Sequence, residues 1–209
     1  MGSLLAIDQS ITCTAWVIFE GDQYDMTSFG CIKTKKDTSR NNLYRRSSEI
    51  CGVLRHLSTQ VDTLVREGLG FGLSNSNASR DLAYLVGAIE RDCGPFFEVA
   101  PTQLKKFSTG SGKADKQDMI EALPEYILTQ FMDAGYKKST GLSDLADAYF
   151  IGKWFASKDE LEHKVDSICK DKKLKNILIK DFDFTEEQVS NDSKRRGAVR
   201  ELIEAGRIV

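Results

Sequence analysis

The chain opens with three apolar runs in close succession, SLLAIDQS, CTAWVIFEGD and QYDMTSFGCIKT, separated only by turn-length breaks. Their length and their β-branched and aromatic content are those of strands, not of a helix. Three consecutive strands with such short connections form an antiparallel meander, so an all-helical fold is excluded from the outset. The first run also carries a carboxylate, Asp8, inside apolar sequence. A charge placed there is costly unless something pairs with it.

Beyond these strands the period changes. In RNNLYRRSSEICGVLRHLSTQVDTL, residues Ile50, Val53, Leu54 and Leu57 recur at helical spacing and predict an amphipathic helix. TLVREGLGFG reads as a short strand running into a glycine-rich loop, and SRDLAYLVGAIERDCG as a second helix stopped by Gly94. FFEVAP is a strand ended by Pro101. TQLKKFSTGSGKADKQDMIEAL holds a Gly/Ser loop opening a third helix, and GLSDLADAYFIGKWFA is a fourth, mostly apolar. Strands first, then alternating helices and strands, predict an α/β domain with a mixed sheet flanked by helices. After Lys158 the sequence becomes highly charged, and Val199, Leu202 and Ile203 mark a short helix near the end. The expected organisation is one domain over residues 1–157 and a charged helical C-terminal extension over 158–209.

Composition narrows the function classes. With 29 basic and 31 acidic residues, the net charge of −2 gives no global positive field, which leaves local basic patches as the only route to nucleic acid. Five cysteines without a CxxC pair and two histidines argue against a zinc site or a disulfide framework. No segment has the length and apolarity of a membrane span, and the start lacks signal-peptide features, so the expectation is a cytoplasmic protein that makes no use of a membrane.

Four acids stand out by position: Asp8 in the first strand, Glu67 at the end of the strand after the first helix, and Asp144 and Asp147 three apart on the last core helix. Residues at i and i+3 share a helix face, and the neighbours Leu142, Leu145, Ala146, Ala148 and Phe150 are apolar, so this buried helix points two acids one way. Such carboxylate sets bind hard cations. Taken singly, Asp8 also reads as a strand-end turn former, Glu67 as an exposed loop residue, and Ser143 or Asp144 as a helix cap. The combination is what points to metal chemistry.

In these motifs the chain resembles the RuvC-type Holliday junction resolvases, on the ribonuclease H-like fold. The resemblance covers residues 3 to about 157 and rests on AIDQS with the following strand TAWVIF, the strand-end glutamate of REGLGFG, the lysines of TQLKKFSTGSGKADKQDM, and the two aspartates of DLADAY. It implies metal-binding roles for Asp8, Glu67, Asp144 and Asp147, with Mg²⁺ as cofactor, Mn²⁺ able to substitute, and two ions per site. It implies that Lys105 and Lys116 face the DNA backbone at the scissile phosphate, with Lys106 and Lys113 as competing choices. Arg66 stands where the family strand is usually apolar, and Asp62 and Asp81 are the nearest alternatives to Glu67. Phe71, among glycines, reads either as a wedge between unstacked bases or as core.

A wider DNA footprint is expected from Lys33, Lys35, Lys36, Arg40, Arg45 and Arg46, and from Lys194, Arg195 and Arg196 near the C-terminus. The function implied is metal-dependent cleavage of branched DNA by a homodimer whose two sites cut opposite strands of a four-way junction. The rivals are a nuclease of the same fold acting on RNA/DNA hybrid or structured RNA, a phosphotransferase of the actin and sugar-kinase type, and a non-catalytic junction-binding protein. The chain is too short for the two lobes of the kinase type, and four acids in these positions argue against a passive binder.

Overall fold

The computed structural model describes residues 2–69, 77–170, 174–182, 184–185 and 189–208, and of 174–176 the backbone only. Five strands, β1 (Ser3–Asp8), β2 (Cys13–Glu20), β3 (Asp25–Lys33), β4 (Thr63–Glu67) and β5 (Phe97–Val99), form one sheet in the order β3-β2-β1-β4-β5. The opening meander is antiparallel, as its short connections require, and pairs Asp8 with Ala15 and Ala15 with Cys31. β4 adds parallel to β1 and β5 parallel to β4, so the sheet is mixed.

Eight helices accompany it among the described residues: α1 (Asn42–Ser58), α2 (Asn77–Cys93), α3 (Pro101–Thr109), α4 (Lys116–Glu121), α5 (Glu125–Asp133), α6 (Leu142–Cys169), α7 (Leu174–Phe182) and α8 (Asp192–Glu204). Because side chains alternate across a strand, the two faces of the sheet bury separate cores. Leu5, Ile7 and Ile18 pack with Ile50 and Leu54 of α1 and with Leu85 and Ile89 of α2. On the other face Leu4, Ala6, Val17, Phe19, Val65 and Val99 pack with Leu104, Ile127, Phe131, Leu145 and Ala148 from α3, α5 and α6. Helix α6 lies close on this face, because a methyl on Gly152 would overlap the Phe19 ring.

Several boundaries differ from those the sequence predicts. Val53 is 41% exposed, and the buried stripe of α1 is Arg46, Ser47, Ile50, Cys51 and Leu54. Pro101 does not only end β5. It starts α3, where its fixed φ suits the first helical turn and its missing N–H costs nothing. The Gly/Ser loop therefore lies between two helices, α3 and α4. Helix α5 follows Pro124 within a stretch that the sequence reading leaves unassigned. Helix α6 continues without a break to Cys169, through the charged segment SKDELEHKVDSIC.

The chain divides into two compact units, Met1–Phe155 and Ala156–Val209. In the second, Val165, Leu178, Val189, Val199 and Leu202 make a small core of their own. Two of its arginines are matched locally: Arg196 pairs with Asp166 and Glu162, and Arg200 with Glu162 at 2.6 Å. No described helix is long and apolar enough to cross a membrane.

Candidate active site

The parallel rung Ile7↔Arg66 sets the geometry of the site. One residue further on, Asp8 and Glu67 stand at adjacent strand ends, and alternation puts both on the α6 face, with Leu4, Ala6 and Val65. Helix α6 begins after Gly141, whose left-handed φ of 105° and close contact with the Cys31 Sγ leave no room for a side chain. In its first turns Leu142, Ser143, Leu145, Ala146 and Ala148 are buried while Asp144 and Asp147 keep partial access to solvent.

Electrostatics shows that these acids share one space. Burial raises the Asp8 carboxyl well above the usual range, and the charges of Asp147, Glu67 and Asp144 push it further. Asp147 is raised to about 7, by burial first and then by Glu67. Burial also raises Glu67, against the opposing charge of Lys105. Like charges held together in a desolvated cleft disfavour joint ionisation, and that is the signature seen here.

Two lysines answer this field. Lys116 is the first residue of α4, whose start is fixed by a capping box: Asp115 accepts from the Gln117 and Asp118 amides at 2.7 and 3.0 Å, and the Asp118 carboxylate accepts from the Asp115 amide at 2.8 Å. From there the Lys116 Nζ reaches Asp144 Oδ1 at 3.4 Å. Partial burial pulls its ammonium down, but attraction to Asp144, Asp147 and Asp8 outweighs this and holds it above the ordinary value. Lys105 on α3 acts on Glu67 and Asp147. Lys106 and Lys113, the competing choices, are exposed.

The remaining predicted residues separate into distinct environments. Lys35 and Lys36 are exposed, but Arg45 is a strut that donates to Asp37, Glu49 and the Lys35 carbonyl. Arg46 is buried and bonds Thr34 Oγ1 at 2.7 Å and the Ile11 carbonyl at 2.9 Å. Arg195 donates to the Val189 carbonyl and to Asp192. Asp62 accepts from Ser3 at the start of β1, and Asp81 sits on α2 beside Arg80, so neither competes with Glu67 for the site. Phe71 lies outside the described residues.

Three features of this neighbourhood are not foreseen from sequence. Gln9 Nε2 donates to the backbone carbonyl of Glu67 at 2.6 Å. Arg66 is buried on the α2 face and pairs with Glu90 at 2.7 Å and with Glu98. Cys31 Sγ donates to the Gly141 carbonyl at 3.8 Å, beside Cys13 and Asp144. All three are side chains meeting partners distant in sequence, for which no local pattern exists.

Among the described residues no group of three or more His, Cys, Asp or Glu side chains is placed so that it could hold a metal ion as it stands. The donor set is nonetheless that of a hard cation: carboxylate oxygens on rigid strand ends and a helix, mutually repelling, with a lysine ammonium set against one of them.

No protein-family model matches the chain. Among curated proteins, crossover junction endodeoxyribonuclease RuvC of Sulfurovum sp. (strain NBC37-1) is 25% identical over 155 residues, covering 71% of this chain and 91% of the relative. RuvC of Ehrlichia ruminantium (strain Gardel) is 27% identical over 159 residues, covering 71% and 92%. Of solved structures, T. thermophilus RuvC in complex with Holliday junction substrate superposes with a TM-score of 0.55 at 19% identity, covering 73% of this chain and 91% of the other. A second Thermus thermophilus RuvC structure gives 0.52 at 20% identity, covering 76% and 96%. With a mixed sheet of this order and sequence relatives matched over nearly their whole length, the chain is similar to the RuvC resolvases and shares their ribonuclease H-like fold.

Proposed function

We propose that the chain is a metal-dependent endonuclease that resolves four-way and other branched DNA junctions by phosphodiester hydrolysis. The observation that carries this reading is the convergence of Asp8, Glu67, Asp144 and Asp147 on one face of the sheet, with Lys105 and Lys116 acting on them. The curated RuvC relatives, named as crossover junction endodeoxyribonucleases, support the substrate class.

The four acids would hold Mg²⁺, or Mn²⁺ in its place, two ions per site. Bound there, the ions supply an activated water and charge stabilisation at the attacking and leaving oxygens. The chain's own contribution is positional. Strand ends fix Asp8 and Glu67, while α6 fixes Asp144 and Asp147 at one spacing. Lys116, 74% exposed and only loosely paired at 3.4 Å, can turn from Asp144 to a phosphate oxygen once the acids are neutralised. Lys105 stands on the Glu67 side and can meet the flanking phosphate. Hydrolysis leaves a 5′-phosphate and a 3′-hydroxyl. The two-fold symmetry of a four-way junction calls for a homodimer, one site for each strand cut.

The test is incubation of a four-way junction, a duplex of the same sequence and an RNA/DNA hybrid, with and without Mg²⁺. Paired nicks in the junction, dependent on the ion, are expected. Preferential cleavage of the hybrid, or full junction cleavage in excess chelator, overturns the reading.

A further inference from the structure

The backbone ladder between β1 and β4 stops at Ile7 and Arg66, one residue before the two acids that the strands present. A side chain continues it. Gln9 Nε2 donates to the Glu67 carbonyl at 2.6 Å, across the gap where the next backbone rung would lie. From the other side, the Gly68 amide donates to the Val99 carbonyl at 2.9 Å and ties the end of β4 to β5. The end of β4 is therefore held from both neighbouring strands, and on the β1 side the hold is a single amide.

Gln9 is 6% exposed, so its bond to Glu67 is made with little competition from water. The same burial leaves Gln9 Oε1 without a hydrogen-bond partner. An unsatisfied buried carbonyl is unfavourable. A methionine of similar length would fill the space without that cost, so packing alone does not account for an amide here. Its donor does: it sits one residue after Asp8 and fixes the residue that carries the second acid.

We infer that Gln9 is a positioning residue for Glu67, a side-chain rung that sets the separation of Asp8 and Glu67 so that both reach one cation. The inference rests on the proposed function, in which these acids share an ion. Groups that orient metal ligands typically change metal affinity by about 10- to 100-fold when removed.

The experiment compares wild type, Gln9→Met and Gln9→Glu. Each is titrated with Mg²⁺ and followed by thermal melting and by cleavage of a four-way junction. Gln9→Met keeps the volume and loses the donor, while Gln9→Glu keeps the shape and turns an acceptor toward the Glu67 carbonyl. Both should need about tenfold more Mg²⁺ for half-maximal stabilisation and half-maximal rate. The rate at saturating Mg²⁺ and junction binding in chelator should change far less. In wild type, a Gln9 side-chain amide proton should exchange with solvent much more slowly than those of exposed Gln103.

Gln9→Met with the wild-type Mg²⁺ midpoint in melting, or a fast-exchanging Gln9 amide, overturns the inference. If Gln9→Met does not fold, Gln9→Glu and the wild-type exchange rate decide. Should Asp8→Asn still cut junctions, the functional reading falls by that result, while the melting midpoints and exchange rate still judge Gln9.

Discussion

Arg66 and Glu67 are neighbours on β4 whose side chains leave opposite faces of the sheet, and the two faces treat charge differently. On the α2 face Arg66 is 3% exposed, while its partners Glu90 and Glu98 are 46% and 48% exposed. The buried cation is matched by two acids that remain in water. On the α6 face Asp8, Glu67 and Asp147 are all raised by burial, and the Lys116 that answers them is 74% exposed. A matched cluster is what a scaffold needs, because either partner alone would be destabilising. An unmatched one in a cleft is the pattern of a site that a ligand completes. Under the proposed function, two adjacent residues divide structural and chemical work between the faces of one strand.

Neutralising the unmatched face should have the largest effect. Asp8→Asn hardly alters volume but removes a charge from the proposed ion site, so junction cleavage in Mg²⁺ should fall by at least about a hundredfold, the upper end of what disturbing a mere supporting residue does. Junction binding in chelator should persist. Cleavage near the wild-type rate would place the chemistry elsewhere.

On the matched face the expected effect is on stability, and its sign depends on which partner is removed. Glu90→Gln with Glu98→Gln leaves a buried guanidinium without a counter-charge, which should cost about 3–5 kcal/mol in denaturant melts. Arg66→Met removes the buried charge instead and leaves two acids free to hydrate. It should cost less than about 1 kcal/mol, since apolar replacement of a buried ion is often neutral or better. If Arg66→Met proves the more damaging, the cluster is not a compensated cation and the contrast with the α6 face fails.

The pH dependence should separate the faces in the same way. Asp147 is raised from 3.8 to about 7 in the folded chain. The folded state therefore holds a proton that the unfolded state has lost, and this stability is fully present below about pH 4 and lost as pH rises toward 7. In chelator, melting temperature should rise as pH is lowered from 7.5 to about 5.5, by an amount on the order of a few kcal/mol in stability. Asp147→Asn should flatten that slope, and so should saturating Mg²⁺, which favours the ionised folded form. A wild-type slope in Asp147→Asn would mean that other groups govern it.

Much of this arrangement is legible in the sequence, and the part that is not has a common cause. Short apolar runs bounded by turns mark β1, β2 and β3, and the i, i+3 pair on an apolar helix marks Asp144 and Asp147, because both are local patterns. Arg66 reads as a flaw in an apolar strand until Glu90 and Glu98 are brought beside it, and nothing local marks Gln9 until Glu67 is. The extent of α6 is hidden because Lys158–Cys169 is charged. Its apolar stripe is thin: Leu161, Val165 and Ile168 face the small core of the second unit, while ion pairs such as Lys164 with Glu160 at 2.9 Å, one helical turn apart, line the exposed side. Among the basic residues, composition cannot distinguish a side chain bound to its own loop from one presented to solvent.

That last distinction sets the smallest predicted effect. Lys35, Lys36 and Arg45 lie within one basic stretch, and sequence alone ranks them together as DNA contacts. In the fold Arg45 is satisfied by Asp37, Glu49 and the Lys35 carbonyl, while Lys35 and Lys36 are exposed. A cation that must first leave two carboxylates gains little by moving to a phosphate. Lys35→Ala and Lys36→Ala should each weaken junction binding in chelator a few-fold and reduce the slope of log affinity against log salt by roughly 0.9, the contribution of one phosphate contact. Arg45→Ala should leave that slope unchanged and instead loosen the segment around Asp37, seen as faster amide exchange at Ser39, which the Asp37 carboxylate binds at 2.9 Å. A full unit lost from the slope in Arg45→Ala, with Lys35→Ala and Lys36→Ala unchanged, would reverse the assignment and show that the strut opens to meet the junction.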